Sequence, residues 1–361
     1  MKIFTGLIFL IIISMCNSDI KNSTMRSSRD IFMIQSKGLS MDNLRLNTLL
    51  FYSSENGFIG GSSDTVISNN TNNSDTFAFI SKIALLYKTR DGGKTWIGKD
   101  FGLGFFTNFF KIEDTFYALK TSEDYSNITI YASSDFGDTW NEKSSFPNNI
   151  YYLVKMSNNL YALGLDSSRN ETFFYNSNDN GETWTTSSRL TFMPFDNPVI
   201  NNDGILYLSF SKSGIYFPDL LVFYNIENNT IKTIKLPMEF NCYLITSYDN
   251  KIKLTGLEHE HITVYSLNSD NSIKHEYTYS FNNKLFPQAY FDSENEEYII
   301  AGEKAESQVV NRILKPIENG KTWEEINFLK GNYIKPFYFL NGNSKIKIWF
   351  YSGSGKFQIL E

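Results

Sequence analysis

Short apolar runs recur along almost the whole chain, each bounded by clusters of Gly, Asn, Asp and Ser. The first complete unit reads LLFYSSENGFIGG and then ALLYKTRDGGKTWIG. In order, it contains an apolar strand, a turn, a Gly-containing strand, a strand ending in Tyr, an Asp-bearing loop and a polar strand. Short runs rich in Phe, Tyr, Leu and Ile between turn formers predict β-strands. The order then repeats, and four short strands every 40 to 50 residues predict twisted sheets that cannot bury both faces alone. Such sheets are completed by their neighbours, so the pattern predicts an all-β protein, a β-propeller of four-stranded antiparallel blades.

Within the pattern lies a fixed motif. TRDGGKTW (Thr89 to Trp96), SSDFGDTW (Ser133 to Trp140) and SNDNGETW (Ser177 to Trp184) align without gaps as Ser/Thr-x-Asp-x-Gly-x-Thr-Trp. Their carboxylates, Asp91, Asp135 and Asp179, are 44 residues apart twice over. A degraded copy, Pro316 to Trp323, keeps Gly320, Thr322 and Trp323 but has Glu318 at the Asp place. The 139 residues from Asp179 to Glu318 are close to three periods, which predicts two hidden copies, at Asn225 to Ile231 and Ser266 to Ile273. Both lack the Trp and the Gly.

Counting units places blades near Leu49 to Lys99, Phe106 to Lys143, Ile150 to Ser188, Pro198 to Lys235, Phe240 to Glu276 and Gln288 to Phe328. Tyr333 to Leu340, Lys345 to Tyr351 and Lys356 to Leu360 supply three strands of a seventh, and Asp30 to Gln35 supplies its missing outer strand. Closure by an N-terminal strand in the last blade tethers both chain ends and protects an exposed edge. Seven is the count preferred, with six or eight also compatible with the spacing. The Ser- and Asn-rich stretch from Ser62 to Thr76 is expected to be a loop inserted in the first blade.

The motif has a structural explanation. Asp and Ser/Thr side chains hydrogen-bond nearby backbone in tight turns. Gly93, Gly137 and Gly181 supply a backbone geometry closed to residues with a Cβ. Trp96, Trp140 and Trp184 then bury a large ring between sheets. These segments resemble the Asp-box, or bacterial neuraminidase repeat, of sialidases, sortilin-type receptors, some glucan hydrolases and photosystem II assembly factors. The resemblance covers nearly all of the chain after its first residues. It implies boxes on the periphery, away from the face that carries the site, and implies little about activity because hydrolases, receptors and assembly factors share the repeat. An identical carboxylate in successive blades is spread around a ring, whereas a catalytic site needs different groups converging on one place.

Composition and charge narrow the function. Aromatic residues make up 16% of the chain, enough for a large all-β core, and the net charge of -6 argues against nucleic acid, which is bound by clustered Lys and Arg. Lys2 followed by the apolar run Ile3 to Ile13 reads as an export signal over residues 1–18, too short to span a membrane. Ile13 to Cys16 resembles a bacterial lipobox with Met15 at the place of a small residue, so Cys16 is a candidate lipid attachment; cleavage after Ser18 is the competing reading. Residues 19–28 read as a tether and 29–361 as one propeller domain. The remaining Cys242 has no partner for an intramolecular disulfide and is expected to be buried.

Catalytic chemistry finds little to stand on. A sialidase uses three Arg, an Asp acid/base and a Tyr activated by Glu. Arg26 and Arg29 fall near the tether and Arg90 inside a box, which leaves Arg45, Arg169, Arg189 and Arg312. The family's Arg-Ile-Pro signature is absent, since Leu46 and Asn47 follow Arg45. In Glu258-His259-Glu260-His261 a strand would place both His on one face, but no third metal ligand announces itself, and an exposed edge or turn is the preferred reading. No phosphate loop or hydrolase nucleophile elbow is present, and no cofactor is expected. The sequence therefore points to an exported, non-enzymatic scaffold on the cell envelope or secreted, with a protein or glycan ligand. A divergent sialidase-like glycoside hydrolase is the alternative.

Overall fold

The structure is a computed structural model. It describes residues 31–34, 44–53, 55–69, 77–146, 149–166, 171–191, 194, 198–201, 204–210, 220–226, 228–248, 251–259, 261–279, 285–292, 297–305, 308–317, 322–330, 334–341, 345–352 and 356–360. The export signal with Cys16, the tether and Arg169 lie outside the described residues, as do Glu318 and Gly320 of the degraded motif copy.

The described strands pair into seven antiparallel sheets of four. The N-terminal strand β1 (Ile31–Ile34) joins the last of them. The first sheet holds β2 (Leu44–Phe51), β3 (Gly57–Asn69), β4 (Phe77–Thr89) and β5 (Ile97–Leu103). The second holds β6 (Phe105–Ile112), β7 (Thr115–Thr121), β8 (Ile128–Ser133) and β9 (Asn141–Phe146). The third holds β10 (Asn149–Met156), β11 (Asn159–Asp166), β12 (Glu171–Ser177) and β13 (Thr185–Leu190). The fourth holds β14 (Val199–Ile200), β15 (Ile205–Phe210), β16 (Leu220–Asn225) and β17 (Thr230–Lys235). The fifth holds β18 (Phe240–Tyr248), β19 (Lys251–Glu258), β20 (His261–Leu267) and β21 (Ile273–Tyr279). The sixth holds β22 (Leu285–Asp292), β23 (Glu297–Ala305), β24 (Gln308–Ile317) and β25 (Thr322–Lys330). In the seventh, β26 (Ile334–Asn341), β27 (Lys345–Ser352) and β28 (Lys356–Leu360) are followed by β1, with Ile31 opposite Leu360.

Packing explains why the middle strands are apolar on both faces. In β7, Phe116 and Ala118 face the first sheet, where they meet Phe58 and Leu86, while Tyr117 and Leu119 face the third, where they meet Leu153 and Leu160. In β11, Leu160 and Ala162 look back to the second sheet and Tyr161 and Leu163 look forward to Leu206 and Tyr224 of the fourth. The alternation continues through Leu221 and Phe223 against Phe240 and Leu254, and through Ile262 and Val264 against Ala301 and Leu314. Side chains alternate with period two, so a sheet sandwiched between two others buries both sets. Fully burying one such Leu or Phe contributes roughly 1.5–3 kcal/mol. Cys242 is buried within one of these seams, as expected.

A second regularity was not expected from the sequence. The first strand of five sheets carries a bulge at one level, where Asn47, Thr107, Tyr151, Tyr243 and Gln288 are skipped in the register. The bulge brings a first-strand carbonyl down onto the second strand. At Gly256 a Cβ would stand 2.0 Å from the carbonyl oxygen of Asn241, so only Gly fits. Amide side chains tie adjacent first strands together, Asn47 Nδ2 donating to the Phe106 carbonyl at 3.0 Å and Asn108 Nδ2 to that of Tyr151 at 2.6 Å.

The expected loop at 62–76 needs correction over residues 62–69, while residues 70–76 lie outside the described residues. Ser62 to Asn69 belong to β3, and pairing with β4 runs without a break to Asn69 opposite Phe77. Composition misled because Ser, Asn and Asp are interspersed with Thr65, Val66 and Ile67, whose branched side chains suit a strand. Beyond Ser63 and Ile83, among the described residues, β3 and β4 pair only with each other, as a two-stranded ribbon.

Candidate functional site

Four antiparallel strands return the chain to the side from which it entered a sheet, so every sheet starts on the same side. Connections from first to second and from third to fourth strand therefore lie on one side, and the remaining connections lie on the other. The Asp motifs all occupy third-to-fourth connections: between β4 and β5, β8 and β9, and β12 and β13.

Each of the three motifs closes on itself. The hydroxyls of Thr89, Ser133 and Ser177 donate to Oδ1 of Asp91, Asp135 and Asp179 at 2.9, 2.8 and 2.7 Å. The same hydroxyls accept the N–H groups of Gly93, Gly137 and Gly181, each at 2.8 Å. The carboxylates in turn accept the backbone N–H groups of Thr95, Thr139 and Thr183 at 2.8, 2.9 and 2.9 Å, and their hydroxyls at 2.6, 2.5 and 2.6 Å. Hydrogen bonding to the ionised form lowers a carboxyl pKa. The Thr183 and Ser177 bonds bring Asp179 down to about 2, and those of Thr139 and Ser133 depress Asp135 further. At Asp91 burial acts upward, but the bonds from Thr95 and Thr89 outweigh it and the pKa is lowered.

The loops also join neighbouring sheets. Gly137, at φ 79°, sits so close to Phe58 of the first sheet that a Cβ would be 2.3 Å from its ring. Trp140 packs edge-on against Phe58 at 5.6 Å, and Trp184 against Phe146 of the second sheet at 5.4 Å. Trp184 Nε1 donates to Ser144 Oγ across that seam at 2.9 Å, and Trp96 Nε1 to the Gly93 carbonyl at 2.9 Å. The Trp140 indole N–H is buried without a hydrogen-bond partner among the described residues. Asp138 receives Lys88 at 2.7 Å and Arg90 at 2.8 Å from the preceding loop region. Trp323 lies on β25, opposite Pro316.

The two hidden copies sit at the expected third-to-fourth connections but use other bonds. Asn228 Oδ1 accepts the Thr230 N–H at 3.0 Å, and Asp270 Oδ1 accepts the Ser272 N–H at 2.9 Å. These are local turns two residues long, where the three clear motifs reach across four.

The opposite side carries unlike groups that do not repeat. Arg45, on β2, pairs with Asp64 of the ribbon at 2.8 Å. Arg189, on the fourth strand of the third sheet, lies 3.5 Å from Glu171 of its own sheet. Arg312 is half-buried on β24 of the sixth. The conceivable Arg triad is thus distributed over first, third and fourth strands of different sheets. His259 occupies the turn between β19 and β20 at φ 48°, so it is not on a strand face with His261. Its ring instead meets Glu239, of the preceding inter-sheet connection, at 2.7 Å. His261 Nδ1 is buried with no hydrogen-bond partner, and no group of three or more His, Cys, Asp or Glu is placed to hold a metal, in each case among the described residues.

The same side displays Tyr125 from the loop between β7 and β8. Asp124, lowered to about 2 by bonds from Ser122 and Ser126, clasps this loop. The clasp holds Tyr125 at φ 60°, the residue 58% exposed and its ring 5.2 Å from that of Phe105. Lys82 Nζ stands 5.3 Å from both ring centroids and donates to the Tyr125 hydroxyl at 3.1 Å. Pairs such as Lys82 with Tyr125 and His259 with Glu239 join segments brought together only by the fold, and no spacing in the sequence announces them.

Comparison with models of known families and with curated proteins finds no match for this sequence. Solved structures do match it. The β-propeller domain of the trilobed protease from Pyrococcus furiosus aligns with a TM-score of 0.54 at 10% identity, over 89% of this chain and 94% of that one. A putative 6-phosphogluconolactonase from Bacteroides fragilis gives 0.53 at 13% identity, over 84% and 92%. An oligogalacturonate lyase in complex with manganese gives 0.53 at 8% identity, over 88% and 96%. The chain therefore has the β-propeller fold, with four-stranded blades. Identities this low carry the fold and nothing of activity, and these neighbours differ in activity among themselves.

Proposed function

We propose that this chain is an exported, non-enzymatic β-propeller scaffold, which binds a protein or glycan ligand on the side opposite its Asp loops. The observation that carries this reading is the division of labour between the two sides. The repeated carboxylates are consumed by hydrogen bonds within their own loops, while unlike groups from different sheets lie towards the other side. A rigid ring presenting variable loops suits recognition. Seven blades closed by β1 is the architecture we infer, supported by the seven four-stranded sheets, the β1–β28 pairing and the adjacency of β2 to β26. Assignment of the loops as Asp-boxes rests on their residues and bonding.

Nothing in the placement of Arg45, Arg189 and Arg312 favours the sialidase reading. The test is to assay the mature protein against fluorogenic sialosides and a glycan panel in parallel. Binding without turnover is the expected result, and turnover would overturn the proposal. Export with lipid attachment at Cys16 is proposed on the sequence alone. Fatty-acid labelling that is lost in Cys16→Ser supports it, and equal labelling of the variant contradicts it.

A further inference from the structure

We propose that the outer edge of β4, residues 77–81, accepts an added β-strand from an extended segment of a partner protein. That segment would carry apolar side chains at alternate positions and an acidic group beside Lys82. The inference deepens the scaffold reading by naming a partner class. It starts from a mismatch in strand length: β4 begins at Phe77, but its pairing with β5 ends at Ile83 opposite Leu103. There the chain turns away through Gly102 and Gly104 into the second sheet.

Backbone direction at the edge follows from the last two bonds. The Lys82 N–H donates to Glu123 Oε1 at 3.0 Å and the Lys82 carbonyl accepts the Gly104 N–H at 2.8 Å, so both Lys82 groups point outward, away from β3. Alternation along an antiparallel strand turns the N–H and C=O groups of Ile80 and Ala78 the same way. Among the described residues no strand or side chain meets them. Glu123 takes the place of a strand at Lys82, and beyond it no strand among the described residues pairs with this edge.

Edge strands in soluble proteins are ordinarily blunted by charge, Pro or a covering element. Residues 77–81 read FAFIS, with neither charge nor Pro. Exposed apolar groups flank the edge, Ile80 at 72%, Tyr125 at 58% and Leu103 at 49%. Backbone bonds along an edge with neighbouring pockets for alternate side chains is the strand-addition mode of peptide recognition. Lys82 supplies a charge for the partner to complement, since no carboxylate pairs with its ammonium among the described residues. An antiparallel strand would bring its N-terminal end to Lys82.

The probe is a synthetic heptapeptide of alternating Val and Thr with an N-terminal Asp, titrated calorimetrically into the full mature chain. Its counterpart is the same peptide with alternate backbone nitrogens methylated. Binding of the first and a loss of about tenfold or more with the second is expected, since at least one backbone hydrogen bond is removed without changing a side chain. Ala78→Pro removes an outward N–H while sparing the β3 ladder, so it should weaken binding about equally with the unfolding midpoint unchanged. Equal binding of the two peptides, or none at about 1 mM, would overturn the assignment. So would a dimer in sedimentation equilibrium that Ala78→Pro dissociates, because the edge would then pair two copies of this chain. Glycan binding with no peptide binding would remove the strand edge and leave the scaffold reading intact.

Discussion

At Gly256 and Thr255, neighbours on one strand, the two kinds of constraint inside a blade can be separated. Gly256 lies under the bulge of β18, where an added Cβ would fall 2.0 Å from the Asn241 oxygen. Backbone must move to admit it, and strain of this kind costs roughly 1–3 kcal/mol. Gly256→Ala should therefore lower the free energy of urea unfolding by that amount, and an unchanged midpoint would remove the close-approach argument. Thr255 is fully buried, and its hydroxyl has no hydrogen-bond partner among the described residues. An unpaired buried hydroxyl costs about 1–3 kcal/mol. Thr255→Val is expected to leave stability unchanged or raise it, and a loss above about 1 kcal/mol would reveal a partner for the hydroxyl. Neither constraint was legible in the sequence, because one depends on a carbonyl of another strand and the other on the packing of two sheets.

Among the elements, the three Asp loops were legible because identical residues recur at identical spacing, and the structure places all three at the same connection. The copies in the fourth and fifth sheets were visible only as spacing, since their Asn and Asp side chains hold shorter local turns. The ribbon of β3 and β4 was misread because local composition outweighed the branched residues that pair across it. Strand boundaries otherwise fell within a few residues of the expected blades. What holds elements together across a seam is the apolar packing around residues such as Phe58, which is fully buried against Phe109, Phe116 and Trp140. Phe58→Ala is predicted to cost about 3–5 kcal/mol in denaturant unfolding, as truncating a buried Phe does elsewhere. A cost below about 1 kcal/mol would mean that the seam between the first and second sheets contributes little.

For the whole molecule, the function proposed above assigns one side of the sheets to the Asp loops that hold the fold and the other side to a ligand. The acidic composition fits this without adding a target, and the pairs on the side opposite the Asp loops lie too far apart in sequence to have been anticipated. The division depends on the Asp carboxylates being part of the fold. Their ordinary pKa is near 3.8, and the folded loops depress it, to about 2 at Asp179. The unfolded chain then binds more protons than the folded one between those values, so stability rises with pH there and is lost as pH falls through the folded pKa. The most direct test is denaturant unfolding of the triple variant Asp91→Asn, Asp135→Asn, Asp179→Asn beside the wild type, from pH 7 down to about pH 2. The variant should be less stable at pH 7, with a gap that narrows below about pH 4 as the wild-type carboxylates take up protons. Equal stability at pH 7, or a gap that stays constant down to about pH 2, would contradict it.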